Sequence, residues 1–151
     1  GQARIPQLNA SALAGRAALA DNPSMSAKKT HDISVSVMTQ FIDEQSMPQD
    51  GRYVFSYTVT IHNRGSIGAR LLSRHWVITD ANGLIREVRG DGVVGEQPHM
   101  RPGEGYEYTS GAVLETAVGT MHGSYQMVAE DGTRFDAEIP EFVLSIPRTL
   151  H

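Results

Sequence analysis

The feature of this sequence that most constrains its fold is a strict two-residue alternation over residues 53–61. Large apolar or aromatic residues occupy every second position there, namely Tyr53, Phe55, Tyr57, Val59 and Ile61. Because successive side chains of a strand point to opposite faces, the alternation predicts a strand with one face in a core. A slip of one residue would expose that whole face, so the pattern also specifies the register.

Shorter apolar segments of strand length lie on both sides of this one. They cover residues 33–38, 71–79, 84–88, 106–109, 120–128, 135–139 and 142–146. Turn signals such as Asn82-Gly83 separate them, and Pro140 is expected to end a strand. The segment around Trp76 carries apolar side chains on both faces, which favours a central strand or a bulge. About seven to nine short strands without a long helical pattern predict an all-β sandwich.

Composition excludes several functional classes. The chain of 151 residues is long enough for one domain with a sizeable core. It contains no cysteine, so disulfides and thiolate zinc sites are impossible, and a cytoplasmic location is expected. The net charge is −4 and there is no basic stripe, which argues against a nucleic-acid partner. No apolar run reaches the roughly 20 residues of a membrane span, so no membrane insertion is expected.

Residues 1–24 differ from the rest of the chain in composition. They are rich in alanine and carry no clear strand alternation. Arg16 interrupts their apolar stretch, so they lack the continuous apolar segment of a signal peptide. A short helix over residues 11–20, stopped by Pro23, is compatible with this composition. We therefore predict a disordered leader or flexible extension over residues 1–24 and one domain over residues 25–151.

A glycine-rich loop is the main candidate for a ligand site. Gly90, Gly92 and Gly95 match the G-x-G-x-x-G spacing of dinucleotide-binding loops. Such loops hold a pyrophosphate at the start of a helix, but Pro98 and Pro102 follow here and exclude an ordinary helix. Two interpretations remain open. The segment is either a connecting loop that needs glycine for its backbone angles, or an exposed nest of N–H groups that binds an anion.

Basic residues flank this loop in the sequence. Arg89 and Arg101 are the candidate anion ligands beside the three glycines. Asp91 and Glu96 would oppose an anion there unless a divalent cation bridges them. If the loop binds a phosphate group, alanine at its last two glycines is expected to abolish binding and leave the fold intact.

No combination of residues in the sequence matches the pattern of a known catalytic or metal site. The six histidines lack the spacing of a zinc motif, and no G-x-S-x-G elbow is present. Asp136 and Glu138 share a strand face and could serve a hard cation, although paired surface carboxylates are more common without one. No catalytic residue, no metal ligand and no cofactor are therefore predicted.

Tyr106 and Tyr108 lie on the same face of a predicted strand. If that strand lies at the edge of a sheet, it could accept an extended strand from a partner protein. The alternative is that both tyrosines face the core. Two packed sheets can also pair through an edge with a second copy of the chain, so a homodimer is a further open alternative.

Several segments together resemble one known family, the bacterial ApaG proteins. They are the alternating segment 53–61, the tryptophan segment 74–80, the glycine loop running on through Pro98, and the segments 102–104, 108–111 and 119–127. The resemblance covers residues 25–151. It implies an immunoglobulin-like or fibronectin type III-like sandwich of two antiparallel sheets. The extension over residues 1–24 departs from the family pattern.

What the resemblance implies about function is modest. The family is linked genetically to cobalt resistance and magnesium efflux, and it offers no established catalytic residue to carry over. Related domains in eukaryotic F-box proteins are implied to bind other proteins. The resemblance and the lack of a catalytic pattern favour a non-enzymatic interaction domain with a protein partner and an indirect effect on divalent cations. The alternative is a pyrophosphate- or nucleotide-binding protein that uses the glycine loop.

Overall fold

The computed structural model describes residues 11–13 and 29–147 of the chain. The strands within these ranges are β1 (Ser11–Leu13), β2 (Ile33–Phe41), β3 (Tyr53–Asn63), β4 (Ala69–Asp80), β5 (Ile85–Asp91), β6 (His99–Met100), β7 (Gly105–Leu114), β8 (Val118–Ala129) and β9 (Arg134–Ser145). Two short 3₁₀ turns, Asp43–Gln45 and Pro48–Asp50, lie between β2 and β3. No helix in the described ranges is long and apolar enough to cross a membrane.

The strands form two antiparallel sheets that share one core. The first sheet has the order β1-β7-β3-β2. The second has the order β5-β4-β8-β9, with the short β6 also paired to β4. Along one side of the molecule, β2 contacts β9. The predicted all-β sandwich is therefore confirmed, with the layered arrangement of immunoglobulin-like and fibronectin type III-like domains.

The alternation in β3 produces the predicted core face. Phe55, Val59 and Ile61 are fully buried, and Tyr57 is 6% exposed. Trp76 of β4 packs against Tyr57 from the other sheet, with ring centroids 5.3 Å apart. Burying one large apolar side chain contributes about 1.5–3 kcal/mol. Because all these side chains lie on one face of β3, that face determines which side of the first sheet meets the second.

β4 is an inner strand of the second sheet, between β5 and β8. Its register to β8 shifts between Leu71 and Ser73, which is the predicted bulge. The shift explains the broken alternation of this segment, because Leu71 before the bulge and Trp76 after it are both buried in the core.

The expected strand break at Pro140 is wrong. β9 runs through this proline as one strand, and its register to β8 shifts beside it, opposite Met121 and Gly123. β9 is the outermost strand of its sheet, and an outer strand tolerates a residue without an N–H where no ladder bond is needed. β6 has no sequence signal, since two residues are too few for a periodic pattern.

Within residues 1–24, the structure describes only the backbone segment Ser11–Leu13. This strand pairs with β7, with Ser11 opposite Glu107 and Leu13 opposite Gly105. The short helix considered for residues 11–20 is therefore wrong over these three positions. The remainder of the extension lies outside the described residues, so its expected disorder stays a prediction.

Candidate functional site

The glycine loop forms a tight turn that leaves β5. Val93 and Glu96 exchange two backbone hydrogen bonds of 2.8 and 2.9 Å. The residues between them, Val94 and Gly95, have φ values of 43° and 81°. Positive φ at both central positions is typical of a type I′ turn. β6 follows this turn, so the loop does not lead into the helix N-terminus that a dinucleotide fingerprint requires.

Three backbone N–H groups of the loop, those of Gly92, Val93 and Glu96, donate hydrogen bonds inside the protein. Gly92 donates to the carbonyl of Leu72 at 2.8 Å, and the two N–H groups that close the turn bond across it. The Arg74 guanidinium donates to the carbonyls of Asp91 and Gly92 at 2.9 and 2.8 Å. Because these donors already have partners, the geometry favours the connecting-loop interpretation over an exposed nest for an anion.

Arg74 organises this loop, although it is not among the site residues predicted from the sequence. It lies two residues before Trp76 on β4, so both side chains project from the same face of the strand. Its guanidinium covers Gly90, where an added Cβ would lie 2.7 Å from Nη2. Gly90 therefore makes room for an arginine of the protein itself. Arg74 occupies a position of the strand whose side chains face the core, and a charged residue at such a position is the sequence signal that could have identified it.

Gly92 and Gly95 differ in what surrounds them. A Cβ at Gly92 would lie 2.3 Å from the carbonyl oxygen of Glu96, whereas a Cβ at Gly95 would meet no atom within 4 Å. The expectation that alanine at both positions leaves the fold intact is therefore wrong for Gly92, because the clash is with backbone. Of the two, only Gly95 suits a test of ligand binding.

The loop is anchored in the core and to the first sheet. Val93 is 1% exposed and belongs to the core cluster. Tyr106 of β7 donates its hydroxyl to Glu96 Oε1 at 3.3 Å. Burial, and then the nearby Glu96 carboxylate, raise the pKa of Tyr106 to about 12. The hydroxyl therefore stays protonated near neutral pH and can serve as the donor.

The two candidate arginines do not converge on the loop. Arg89 extends from β5 and its side chain is 71% exposed. Its Nη2 lies 3.7 Å from Oε1 of Glu87. Arg101 directly follows β6 and is also exposed. Arg89 of β5 pairs with His75 of β4, and the end of β6 pairs with Ala69 of β4. His75 and Ala69 are about 20 Å apart along β4. The structure places Gly90 near the end of β5 and Gly92 and Gly95 in the turn that follows, and it separates the backbones of these two arginines.

Three of the described histidines are paired with carboxylates. The pairs are His31 with Asp131 at 3.1 Å, His75 with Glu87 at 2.8 Å and His99 with Glu130 at 3.0 Å. Over residues 29–147, no three histidine, aspartate or glutamate side chains are grouped so that they could hold a metal ion. Asp136 and Glu138 are exposed on β9. Each histidine pair joins two segments of the sandwich, which is a structural use of these groups.

β7 presents a second candidate site along its outer edge. Tyr106 and Tyr108 are each 3% exposed, so the alternative in which both tyrosines face the core is correct. The backbone groups of every second residue of β7 point away from β3. At Val113, such an outward carbonyl accepts a hydrogen bond of 2.7 Å from Arg86 Nη2.

This outer edge is partly covered. β1 pairs with residues 105–107 at one end, and Arg86 binds the carbonyl of Val113 at the other. Between these ends, the outward backbone groups of Thr109 and Gly111 pair with no strand in the part of the chain that the structure describes. We call the outward-facing backbone of residues 105–111 the β7 edge. It is a ready template for an added strand.

Comparison with known proteins identifies the family. The family model of the ApaG domain matches residues 43–129, more than half of the chain. The chain belongs to the ApaG family. A protein named ApaG from Azoarcus sp. (strain BH72) is 60% identical over 127 residues, which are 84% of this chain and all of that protein. A protein named ApaG from Dechloromonas aromatica (strain RCB) is 61% identical over the same coverage.

A solved ApaG-like structure extends the comparison to the fold. The crystal structure of a Bordetella pertussis protein designated ApaA matches with a TM-score of 0.79 and 51% sequence identity. The match covers 82% of this chain and all of that one. ApaG-family domains therefore fold without the additional residues that this chain carries.

Proposed function

We propose that this ApaG-family chain is a non-enzymatic interaction domain that binds an extended segment of a protein partner along the β7 edge. The observation that carries the proposal is the pairing of Ser11–Leu13 with that edge. An extended segment is already bound there through its backbone, as strand addition requires. Among the described residues, no strand pairs with the outward groups of Thr109 and Gly111, which continue the same ladder and offer a partner its first hydrogen bonds.

Other sheet edges are less suited to strand addition. β5 is charged at more than half of its positions, and β9 contains Pro140 together with several acidic residues. Charges and prolines at an edge discourage pairing with another chain. The remaining outer strand, β2, contacts β9. By contrast, β7 has neither a charged residue nor a proline from Tyr108 onward.

In this proposal, any influence on divalent-cation homeostasis, cobalt resistance or magnesium efflux is indirect and passes through the bound partner. Family membership supports the link. The surface histidines give no reason for a direct route, because three of them lie in pairs with carboxylates and no larger cluster of metal-ligating side chains occurs among the described residues. A cytoplasmic setting fits a sequence without cysteine.

The test is a pull-down with the full chain as bait, carried out with and without Mg²⁺. Gly111→Pro removes an outward N–H without removing a bond to β3, and Gly111→Ala is its control because it adds a carbon and keeps the N–H. We expect a reproducible partner that the wild type and Gly111→Ala recover and that Gly111→Pro loses. Recovery of no reproducible partner, or equal recovery by Gly111→Pro, would count against the proposal.

A second copy of the chain is the alternative occupant of the same edge. Two β7 edges could pair in antiparallel fashion and form a homodimer with a continuous sheet. Analytical ultracentrifugation separates the two cases. A dimer that becomes monomeric in Gly111→Pro, but not in Gly111→Ala, would assign the edge to self-association.

The geometry supports the pyrophosphate- or nucleotide-binding alternative less well than it supports strand addition at the β7 edge. Of its candidate glycines, Gly92 already donates its N–H to the carbonyl of Leu72 within the protein. An NMR titration with inorganic pyrophosphate tests it directly. We expect no localised shifts of the loop amides. Saturable shifts at Gly95 and Arg89 that disappear in Arg89→Ala would restore this alternative.

A further inference from the structure

β1 and a partner strand would need the same atoms of β7. In the observed register, Ser11 lies opposite Glu107 and Leu13 lies opposite Gly105. Each backbone N–H and C=O at a strand edge pairs with one neighbouring strand at a time. A partner strand that used the whole β7 edge, from Gly105 to Gly111, would therefore have to displace β1.

We infer that the N-terminal extension is an intramolecular competitor for the β7 edge, an inference that rests on the proposed function. β1 occupies the first half of the edge, and within residues 11–13 and 29–147 no strand pairs with the outward groups of Thr109 and Gly111, which form the entry point for a partner strand. Because the competitor belongs to the same chain, its effective concentration is set by residues 14–28, which join it to the domain. Effective concentrations for short linkers are typically millimolar.

The β7 edge also specifies the chemistry of the strand that it accepts. Positions opposite Glu107 and Thr109 face solvent, whereas positions opposite the buried Tyr106 and Tyr108 lie on the inward side. On that side, Val88 of β5 is 41% exposed. It pairs with Trp76 of β4, which is buried in the core. An incoming strand should therefore alternate polar residues with small or apolar ones.

Residues 1–24 carry no alternation as a whole, but residues 7–12 have this pattern locally, and it ends at apolar Leu13. Polar residues at Gln7, Asn9 and Ser11 alternate with apolar residues at Leu8, Ala10 and Ala12. The phase agrees with the observed register, since polar Ser11 occupies the position opposite solvent-facing Glu107. The preferred ligand of the edge is accordingly an uncharged extended segment of about seven residues with this two-residue alternation.

A three-residue strand holds an edge weakly, because its few hydrogen bonds are offset by the ordering of the chain. A competitor of this kind lowers the apparent affinity of a partner, because only the molecules in which the edge is open can bind. The apparent affinity equals the intrinsic affinity multiplied by the fraction of such molecules. Deleting residues 1–24 should therefore strengthen binding of an edge ligand about 2- to 10-fold. The shortened domain is expected to fold, since whole ApaG relatives match only 84% of this chain.

The experiment uses a synthetic peptide with the sequence of residues 7–13 as the probe and follows backbone amide shifts by NMR. The domain of residues 25–151 should show saturable shifts at Thr109 and Gly111 in the millimolar range. The full chain should bind the peptide about 2- to 10-fold more weakly. In the shortened domain, Gly111→Ala should bind as its parent does and Gly111→Pro should not. The location of the shifts keeps the test decisive if Gly111→Pro fails to fold.

The outcomes separate this inference from the proposed function. Equal affinity of the full chain and the shortened domain for the peptide would overturn the competition and leave the edge as a binding site. If the peptide binds neither protein, or shifts amides elsewhere, the extension is not a ligand of this edge. In both of those cases the proposed function stands as long as the pull-down partner is lost in Gly111→Pro, and it fails if that partner is retained.

Discussion

At the end of β3, one buried side chain joins three backbone segments. Asn63 is 1% exposed, and its Nδ2 donates to the carbonyls of Ile67 and Met100 at 3.0 and 2.9 Å. Its Oδ1 accepts from the N–H of Gly65 at 2.8 Å. Buried polar atoms need such partners, and here they connect the turn after β3 with β6. Asn63 is therefore a structural residue that fixes the end of β3 relative to β6.

We expect Asn63→Leu to lower the free energy of unfolding by about 3 kcal/mol. The variant removes the partners of two carbonyls and one N–H at a buried position, and each orphaned group is unfavourable. Urea denaturation measures the change. Asn82→Leu in the exposed turn after β4 is the control and should change stability by no more than about 0.5 kcal/mol. A loss for Asn63→Leu as small as that of the control would contradict the structural role.

Gly92→Ala is expected to be more harmful than Gly95→Ala, although both glycines have positive φ, 62° and 81°. A non-glycine residue in this region loses roughly 1–2 kcal/mol through backbone strain. Gly92→Ala adds the clash with Glu96, so we expect a loss of more than about 2 kcal/mol for it and about 1 kcal/mol for Gly95→Ala. Thermal and urea unfolding test the order. Equal losses would show that the loop relaxes around the added carbon.

At the scale of elements, the turn between β8 and β9 is held from two sides. His31, which precedes β2, bonds Asp131 at 3.1 Å, and His99 of β6 bonds Glu130 at 3.0 Å. The backbone N–H of Thr133, and then His31, hold the pKa of Asp131 below its ordinary value near 3.8. The turn thereby connects both sheets near the start of the domain.

The sign of the pH dependence follows from this lowered pKa. A carboxyl group whose pKa is lower in the folded chain stabilises the fold above its unfolded pKa and loses that effect as the pH falls through the folded pKa. We therefore expect Asp131→Asn to be less stable than the wild type at pH 6, with a difference that shrinks below about pH 4. Urea unfolding at several pH values measures it. A difference that stays constant with pH would exclude Asp131 as the linked group.

The elements differ in how far sequence can predict them. β3 is predictable over residues 53–61 because their alternation encodes one buried face, whereas its continuation to Asn63 is not. The bulge at Leu71 and Ser73 is also predictable, since a bulge reverses the phase of the alternation. The continuation of β9 through Pro140 is not predictable, because a proline is tolerated there only since β9 is the outermost strand of its sheet. β1 is not either, because a three-residue strand that pairs through its backbone leaves little trace in composition.

At the scale of the whole molecule, the sites depend on topology more than on local pattern. The glycines of the loop are predictable as turn residues, because positive φ favours glycine. The separation of Arg89 from Arg101 is not predictable, because it depends on where β5 and β6 pair along β4. Arg74 reaches the loop only through the pairing of β4 with β5. The β7 edge exists because of the strand order of the first sheet, which no short segment encodes.

The two sheets also share a group of tyrosine hydroxyls inside the core. The hydroxyl of Tyr108 in the first sheet bonds that of Tyr125 in the second, and Tyr57 and Arg74 lie near them. Burial raises the pKa of Tyr57, Tyr108 and Tyr125 above the ordinary value near 10. The folded chain therefore keeps these phenols neutral at pH values where an unfolded chain would ionise them.

A raised pKa of an acid stabilises the fold fully below the unfolded pKa and progressively less as the pH rises above it. We expect the free energy of unfolding to fall above about pH 10, by about 1.4 kcal/mol per pH unit for each retained proton. Tyr125→Phe removes one such proton and should make this decline shallower. Near neutral pH the same variant should lose about 1–2 kcal/mol, because Tyr108 loses its partner. Urea unfolding between pH 7 and 11 measures both effects.

The double variant Tyr108→Phe/Tyr125→Phe is the matched control for this prediction. It leaves no phenol of the pair without a partner, so its loss near neutral pH should be smaller than the sum of the two single losses. Its alkaline decline should be shallower than that of either single variant, because two linked protons are gone. If the decline is the same in all four proteins, the core tyrosines do not couple stability to pH. The contribution of this core region to stability would then come from pH-independent contacts such as the packing of Tyr57 in the first sheet against Trp76 and Phe142 in the second.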